Sequence, residues 1–538
     1  MPLGFLLWGS LKVGDPQSAS PPTLENYRQA YTDPGAYQLL LNSLLYALGS
    51  SVFSLLLGTM LAWTIERTNT PFKSLFSALA MVPLIIPGIL HTMAWVLLLS
   101  PRSGVMNSLL QSILGLSDPL FKVYSLPAMI WVQGLHLSPL VFVTMAAAVR
   151  SMDPALEEAA MVSGGSVPTT VRRITLRLLL PAIASMFLIM FIRGLESFEV
   201  PALLGLRGGI KVFTSRIWLA IKLDRNFGLA GAFAATLLVI SVAGIILYNR
   251  LTARAERFAT VTGKAFRPHI IDLGRWRYAA GAFFILYFLF LVGLPLFILL
   301  WTSLNPFYSV PSVKALSRLT LDNYIFVLNM TRARTAIVNS LLLAIGSATL
   351  VMLLTSIISW ITVRTRIPGR SLLDAVTFLP ITFPGIVLGV SLIWVYLTLP
   401  IPIYGTLWIL LVAYITRYMP YGIRTASSSM VQIHAELEEA AHISGASWLQ
   451  TFGRIILPLL RPGLVAGWIY VVIVSMRELS SSILLYSSRS LILSVLIFDL
   501  WDGGQFTIVA ALSVLMITGL ILLVVIAYGL GSRFGVRE

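Results

Sequence analysis

Leu156-Glu157-Glu158-Ala159-Ala160-Met161-Val162-Ser163-Gly164 returns in the second half of the chain as Leu437-Glu438-Glu439-Ala440-Ala441-His442-Ile443-Ser444-Gly445. Each copy lies between two long apolar runs. Each is followed by isoleucine at the same spacing, Ile174 and Ile455. Glu and Ala are strong helix formers, and Gly ends or turns a short helix. The pattern predicts, twice, a short helix, a glycine-marked turn and a second helix entering the next apolar run.

Working outward, the rest of the chain repeats as well. Thr23-Leu24-Glu25-Asn26-Tyr27 matches Thr320-Leu321-Asp322-Asn323-Tyr324, and Asn42-Ser43-Leu44-Leu45 matches Asn339-Ser340-Leu341-Leu342. Trp63, Arg67, Pro71, Pro83 and Pro87 recur as Trp360, Arg364, Pro368, Pro380 and Pro384. The shift is 297 up to the Pro87–Pro384 pair and 281 at Pro139–Pro420, so the first half carries 16 extra residues near Arg102 to Lys122. Pro2-Leu3 and Leu6-Leu7-Trp8-Gly9-Ser10-Leu11 match Pro295-Leu296 and Leu299-Leu300-Trp301-Thr302-Ser303-Leu304.

The chain has 538 residues, 57% of them hydrophobic and 11% charged, with a mean hydropathy of +0.87. A soluble fold needs more polar surface. The apolar runs match the roughly 20 residues a helix needs to cross a bilayer, and are too uniform for barrel strands. Spans are expected at 38–63, 75–100, 124–149, 180–200, 227–249, 278–304, 337–363, 372–398, 404–430, 462–486 and 507–532. Residues 1–11 keep only the final third of a twelfth. They cover about 16 Å at 1.5 Å per residue, and a start codon placed too late or a trimmed sequence is the expected explanation, in preference to a true half-span. Met1 to Lys12 has neither a basic n-region nor a cleavage site and does not read as a signal peptide. The fold expected is an all-α polytopic membrane protein, a tandem repeat of two six-span units. Residues 1–249 form the first unit, 250–277 a basic linker and 278–538 the second unit. An even number of spans gives both units one orientation, so the repeat is parallel.

The net charge of +16 reads as the positive-inside bias rather than nucleic-acid binding. Seven basic residues in the linker (Arg250, Arg254, Arg257, Lys264, Arg267, Arg275, Arg277) face only Glu256 and Asp272, which places it, both Glu-Ala-Ala loops and the C-terminus in the cytoplasm. The loop from Arg207 to Arg225, with five basic residues, falls outside; it is an exception, read as a docking surface for an acidic partner. Trp8, Trp63, Trp301 and Trp360 mark span ends. The chain has no cysteine, which excludes disulfides, thiolate metal sites and cysteine nucleophiles.

The two loops resemble the EAA loop of binding-protein-dependent ABC importer permeases: Glu-Ala-Ala, three residues, Gly, nine residues, then Ile-x-Leu-Pro. The second copy meets every position through Ile455, Leu457 and Pro458. The first has Arg177 in place of the proline, with Pro181 four residues on, which puts its local bend in question. The resemblance covers almost the whole chain and implies the type I permease fold. It also implies that Glu158, Ala159, Ala160 and Gly164, with Glu439, Ala440, Ala441 and Gly445, form coupling helices that dock onto a cytoplasmic ATPase. No Gly-x-x-x-x-Gly-Lys-Ser/Thr loop occurs, so this chain is expected to be no enzyme and to bind no cofactor. ATP and Mg belong to the partner ATPase. Two loops imply two copies of it, beside a periplasmic substrate-binding protein and the lipid bilayer.

Ionisable residues inside spans line pathways or form packing pairs. Arg193, Glu196 and Glu199 in the span at 180–200, and Arg477, Glu478 and Ser480 in the span at 462–486, are the candidates for a substrate pathway, with an Arg193–Glu196 packing pair as the alternative. Glu196 and Glu199 are expected to share a helix face. Pro83 and Pro87, with Pro380 and Pro384, are expected to break the same helix in both halves, as hinges or fixed kinks. His91 and His136 read as packed residues, His442 as a possible ATPase contact, and no metal set is assigned. The stretches Glu196 to Gly205 and Arg477 to Leu485 resemble the branch of the family that imports ferric iron, a hard cation suited to carboxylate and hydroxyl oxygens. Phosphonate, hexose phosphate, thiamine and polyamine stay open as cargo. A secondary transporter of the major facilitator type would carry a Gly-x-x-x-Asp-Arg-x-Gly-Arg-Arg-like loop, which Ile65 to Ser74 lacks. A membrane enzyme would need a His or Asp cluster near an interface.

Overall fold

The structure is a computed structural model describing residues 2–14, 16–17, 20–80, 82–255 and 270–533. Among these residues it is helical, apart from loops and one parallel bridge between Thr68 and Ile271. Eight helices are long and apolar enough to cross a membrane, and ten if each of two bent pairs counts as one span. The span expected at 404–430 is the helix Leu407–Val431, which carries Arg417, Arg424 and the run Ser427-Ser428-Ser429 and is not among these.

The chain forms two compact lobes that cut across the sequence repeat. The N-lobe gathers Arg28–Leu219 and Val239–Thr320. The C-lobe gathers Met1–Tyr27, Ala220–Leu238 and Leu321–Glu538. The division at 1–249, 250–277 and 278–538 describes the repeat, whereas in space the first span of each repeat belongs to the lobe built on the other. In the N-lobe, Leu294–Ser303 packs on Gly88–Leu99. In the C-lobe, the short helix Pro2–Ser10 packs on Gly385–Thr398. A Cβ on Gly9 would lie 2.2 Å from the Trp394 ring, so only glycine permits that approach.

Each lobe is built round one long helix. Gly35–Arg67 packs on Leu126–Ser151 and Leu176–Glu196. The middle of its buried face carries small residues, Ala47, Ser50, Ser51, Ser54 and Gly58, between the larger Tyr46 and Leu61. Close backbone approach through small residues drives helix association in lipid, where apolar burial gives little. A Cβ on Gly58 would meet Val141 at 2.6 Å. Thr331–Arg364 plays the same part in the C-lobe, against Leu407–Val431 and Leu457–Met476, with Ala344, Ser347, Ala348 and Thr355 buried.

The proline breaks are present. Lys73–Leu84 meets Gly88–Leu99 at 99°, and Arg370–Thr382 meets Gly385–Thr398 at 113°. Two expectations need correction. The helix expected to run from 462 to 486 stops at Met476, so Arg477 and Glu478 lie beyond its end. The Glu478 carboxylate accepts the Ser481 backbone N–H and hydroxyl, at 2.9 and 3.0 Å, and starts a new short helix at Ser482. The helix expected at 180–200 stops at Glu196, where Ser197 turns extended (ψ 130°), so Glu196 and Glu199 share no continuous helical face. In the linker, the side chain of Arg254, and Glu256, Arg257, Lys264, Arg267 and His269, lie outside the described residues.

Candidate functional site: two Glu-Ala-Ala loops

In the N-lobe, the motif forms the helix Ala155–Val162. Gly164 follows with φ +85°, where an L side chain is strained. The Gly164 N–H donates to Met161 O (3.0 Å) and the Gly165 N–H to Ala160 O (2.9 Å), which closes the helix end. Val162 is 89% exposed and Leu156 half exposed, while Glu158 and Ala160 are half-buried and Ala159 is exposed.

The residue before the motif's own glutamate turns inward. Glu157 is buried and pairs with Arg67, the last residue of the long helix, at 3.0 Å. The pair is sealed, with side-chain exposures of 1% for Arg67 and 5% for Glu157. Arg67 also donates to Met152 O (2.9 Å), at the exit of Leu126–Ser151. The other Glu157 oxygen accepts the Thr175 hydroxyl at 2.5 Å, from the turn that leads into Leu176–Glu196. Two side chains thus tie the helix Ala155–Val162 to three helices. Beside them, Arg150 pairs with Glu66 at 2.7 Å on a more exposed rim. The end of the linker adds a seam: the Ile271 N–H donates to Arg67 O (2.8 Å) and the Asn69 N–H to Ile271 O (3.1 Å). Asp272, which accepts from Asn69 Nδ2 and from the Gly274 N–H, is held below the usual carboxylate range, chiefly by the backbone bond from Gly274 and then by Asn69.

In the C-lobe, the motif forms Glu436–Ile443, and Gly445 follows with φ +81°. Ile443 is 89% exposed, in the place of Val162. Glu439 and Ala440 are exposed, whereas Ala441 is buried. Glu438 turns inward to Arg364 at 2.9 Å, with side-chain exposures of 12% and 15%. Arg364 also donates to Met430 O (3.1 Å) and to Ile433 O. The second Glu438 oxygen accepts the Trp360 indole N–H at 3.0 Å. Trp448 packs edge-on against Trp360 and stacks on Phe452, above a core of Met430, Phe452, Ile456 and Leu460. Both copies leave the loop through one wide helical turn, Val171–Thr175 and Phe452–Ile456. Arg177 in place of the proline therefore does not change the course of the first loop.

The candidate pathway residues divide. Arg193 and Glu196 stand 4.0 Å apart, with side-chain exposures of 39% and 10%. Glu199 and Arg477 are half-buried, and Ser480 is buried. Glu478 is buried and committed: it pairs with Arg417 at 3.1 Å and accepts the Tyr418 hydroxyl at 3.0 Å. At the corresponding N-lobe position, Ser197 takes Tyr46 and Gln133 as partners, both at 3.0 Å. His91 and His136 pack together with ring centroids 5.4 Å apart, and Trp95 donates to His91. Among the described residues, no three His, Asp or Glu side chains converge to hold a metal ion.

Sequence reasoning quoted Glu157 and Glu438 in the repeat and paired Arg67 with Arg364, but gave none of the four a role; the signal was that all four recur at matching repeat positions.

Comparison with known proteins agrees with this architecture. Residues 54–257 and 353–536 each match the family described as "Binding-protein-dependent transport system inner membrane component". The chain is 26% identical over 467 residues to the ferric transport system permease protein FbpB of Actinobacillus pleuropneumoniae, covering 85% of this chain and 66% of that protein. It is 23% identical over 478 residues to the Fe(3+)-transport system permease protein FbpB 2 of Haemophilus influenzae, covering 88% and 86%. It is 28% identical over 264 residues to the putative 2-aminoethylphosphonate transport system permease protein PhnV of Salmonella paratyphi A, covering 48% and 96%. The chain thus spans about two thirds of the first of these relatives. With two family matches that together cover more than half of its length, each holding one Glu-Ala-Ala loop among multiple membrane-spanning helices, the chain belongs to the multi-pass inner-membrane components of binding-protein-dependent transport systems.

Proposed function

We propose that this chain supplies both halves of the membrane pathway of an ATP-driven importer, and that each Glu-Ala-Ala loop seats on one copy of a cytoplasmic ATPase subunit. The observation that carries the reading is the duplicated docking helix. Each presents one nearly fully exposed apolar residue, Val162 or Ile443, at the end of a helix whose base is fixed by an ion pair, sealed in the N-lobe and partly exposed in the C-lobe. An apolar knob on a rigid base is what a groove on a second protein can grip. ATP and Mg reside on that ATPase, and a periplasmic binding protein delivers the solute. The basic linker, both loops and the C-terminus face the cytoplasm under the positive-inside bias. The broken helices at Pro87-Gly88 and Pro384-Gly385 serve as hinges; their bends of 99° and 113° are the support for that role.

Ferric iron is the proposed cargo. The iron-transport names of two relatives that match most of this chain favour it. Glu196 and Glu199, both half-buried, offer the oxygen ligands a hard cation prefers. The phosphonate relative favours a second reading, in which Arg193 and Arg477 meet an anion.

The test is uptake into proteoliposomes that hold this chain, its ATPase and its binding protein, with ferric iron or 2-aminoethylphosphonate supplied. ATP-dependent iron uptake is expected. ATP-dependent uptake of the phosphonate alone would keep the importer and replace the cargo. Solute movement indifferent to ATP would overturn both.

A further inference from the structure

The two ion pairs beneath the docking helices have a geometry that packing alone does not require. Arg67 and Arg364 are each the last residue of the longest helix of their lobe. Each guanidinium reaches the carboxylate of the docking helix, at 3.0 and 2.9 Å. Each also holds backbone carbonyls on the stretch by which the chain leaves the preceding helix: Met152 in the N-lobe, Met430 and Ile433 in the C-lobe. Each carboxylate spends its other oxygen on a further donor, Thr175 or Trp360. The Nε–carboxylate contacts are ion pairs without an aligned hydrogen bond, so the guanidinium's orientation is held by its bonds to the carbonyls while its charge holds the glutamate, a division of roles that a compact ammonium does not reproduce.

We propose that Arg67–Glu157 and Arg364–Glu438 are the joints through which a displacement of each docking helix becomes a displacement of the long transmembrane helix. All four are positioning residues for coupling and contact neither solute nor nucleotide. The inference rests on the importer reading above. Without the joint, the docking helix would still be gripped by the ATPase through Val162 or Ile443. It would then rock on the Gly164 or Gly445 turn without moving the span.

The C-lobe joint is the one to test, because its partial exposure makes substitution less disruptive. Arg364→Lys, Glu438→Gln and the double variant are reconstituted as the full complex. Three quantities are read: ATPase subunit retained per chain, ATP hydrolysed, and ferric iron (or 2-aminoethylphosphonate, if the native complex carries that instead) transported per ATP. The expected result is ATPase retention within twofold of the native complex, with transport per ATP down tenfold or more in each single variant. The double variant should be no worse than either single, because the two residues act as one unit. Native transport per ATP in variants that assemble normally would overturn the proposal. So would losses that multiply in the double variant, or transport that falls only in step with retained ATPase. The native complex run in parallel separates the two readings: if it transports without ATP, the importer reading fails and this inference with it.

Discussion

The two Glu-Ala-Ala loops do the same thing with different side chains. In the N-lobe, the second glutamate oxygen is satisfied by the Thr175 hydroxyl, and the Trp63 indole N–H is left buried without an acceptor among the described residues. In the C-lobe, the residue at the Thr175 position is Ile456, which donates nothing, and Trp360 supplies the bond instead. The tryptophan is common to both halves; the hydroxyl decides whether it is used. The rims differ too. Arg150 and Glu66 pair in the N-lobe, where the repeat places Val431 and Val363 in the C-lobe. What both halves keep is the arginine, the inward glutamate and the exposed apolar tip. The difference teaches that the ion pair is the fixed requirement of the design, and that its surroundings are replaceable.

The strongest way to break this comparison is to remove one glutamate. Glu157→Ala should destabilise the N-lobe loop by about 3–5 kcal/mol, the cost of leaving a buried charge without its partner. Glu438→Ala should cost less, because its pair is less sealed. Thermal unfolding of the purified complex checks the order, and a larger loss at Glu438 would reverse it. Next comes the tryptophan. Trp360→Phe should cost about 1–3 kcal/mol, since it strips a buried acceptor of its donor, whereas Trp63→Phe should be near neutral. Adding Ile456→Thr to Trp360→Phe should restore part of the loss by recreating the N-lobe arrangement. No rescue would show that the hydroxyl and the indole are not equivalent.

Smaller effects sharpen the edges. Arg150→Ala removes an ion pair whose arginine side chain is 70% exposed, so it should cost under about 0.5 kcal/mol. The seam at Ile271 should respond to acid. Asp272 has its pKa depressed in the folded state, so its contribution is complete above the ordinary aspartate value of about 3.9 and is lost as pH falls through the lower folded value. Hydrogen exchange at the Ile271 amide should therefore be flat from neutral pH down to about pH 4, after correction for intrinsic rates, and rise below it. Asp272→Asn should show the faster exchange already at neutral pH.

Much of this was legible in the sequence, for identifiable reasons. Apolar runs and self-comparison gave the spans because lipid leaves a backbone few options. The proline pairs gave the broken helices, since Pro87 and Pro384 cannot continue a helical hydrogen-bond ladder. The glycines gave the loop turns, because Gly164 and Gly445 adopt a backbone angle that other residues resist. The early helix stops at Glu196 and Met476 were not legible. They depend on side chains capturing backbone groups, as Glu478 does with Ser481, and apolar periodicity is blind to that. The inward turn of Glu157 and Glu438 was hidden for a similar reason. Two adjacent glutamates look alike until an arginine distant in sequence selects one. The exchange of first spans between lobes has no local signature either, because Pro2–Ser10 and Leu294–Ser303 are apolar on every side.

The central claim, that both loops seat on ATPase subunits, has a direct test. The chain contains no native cysteine, so Val162→Cys and Ile443→Cys each introduce a single attachment point for a photo-crosslinker at a residue 89% exposed. With both variants assembled with the ATPase and illuminated, each should capture an ATPase subunit with comparable yield. Capture by neither, or by one loop alone, would contradict the account.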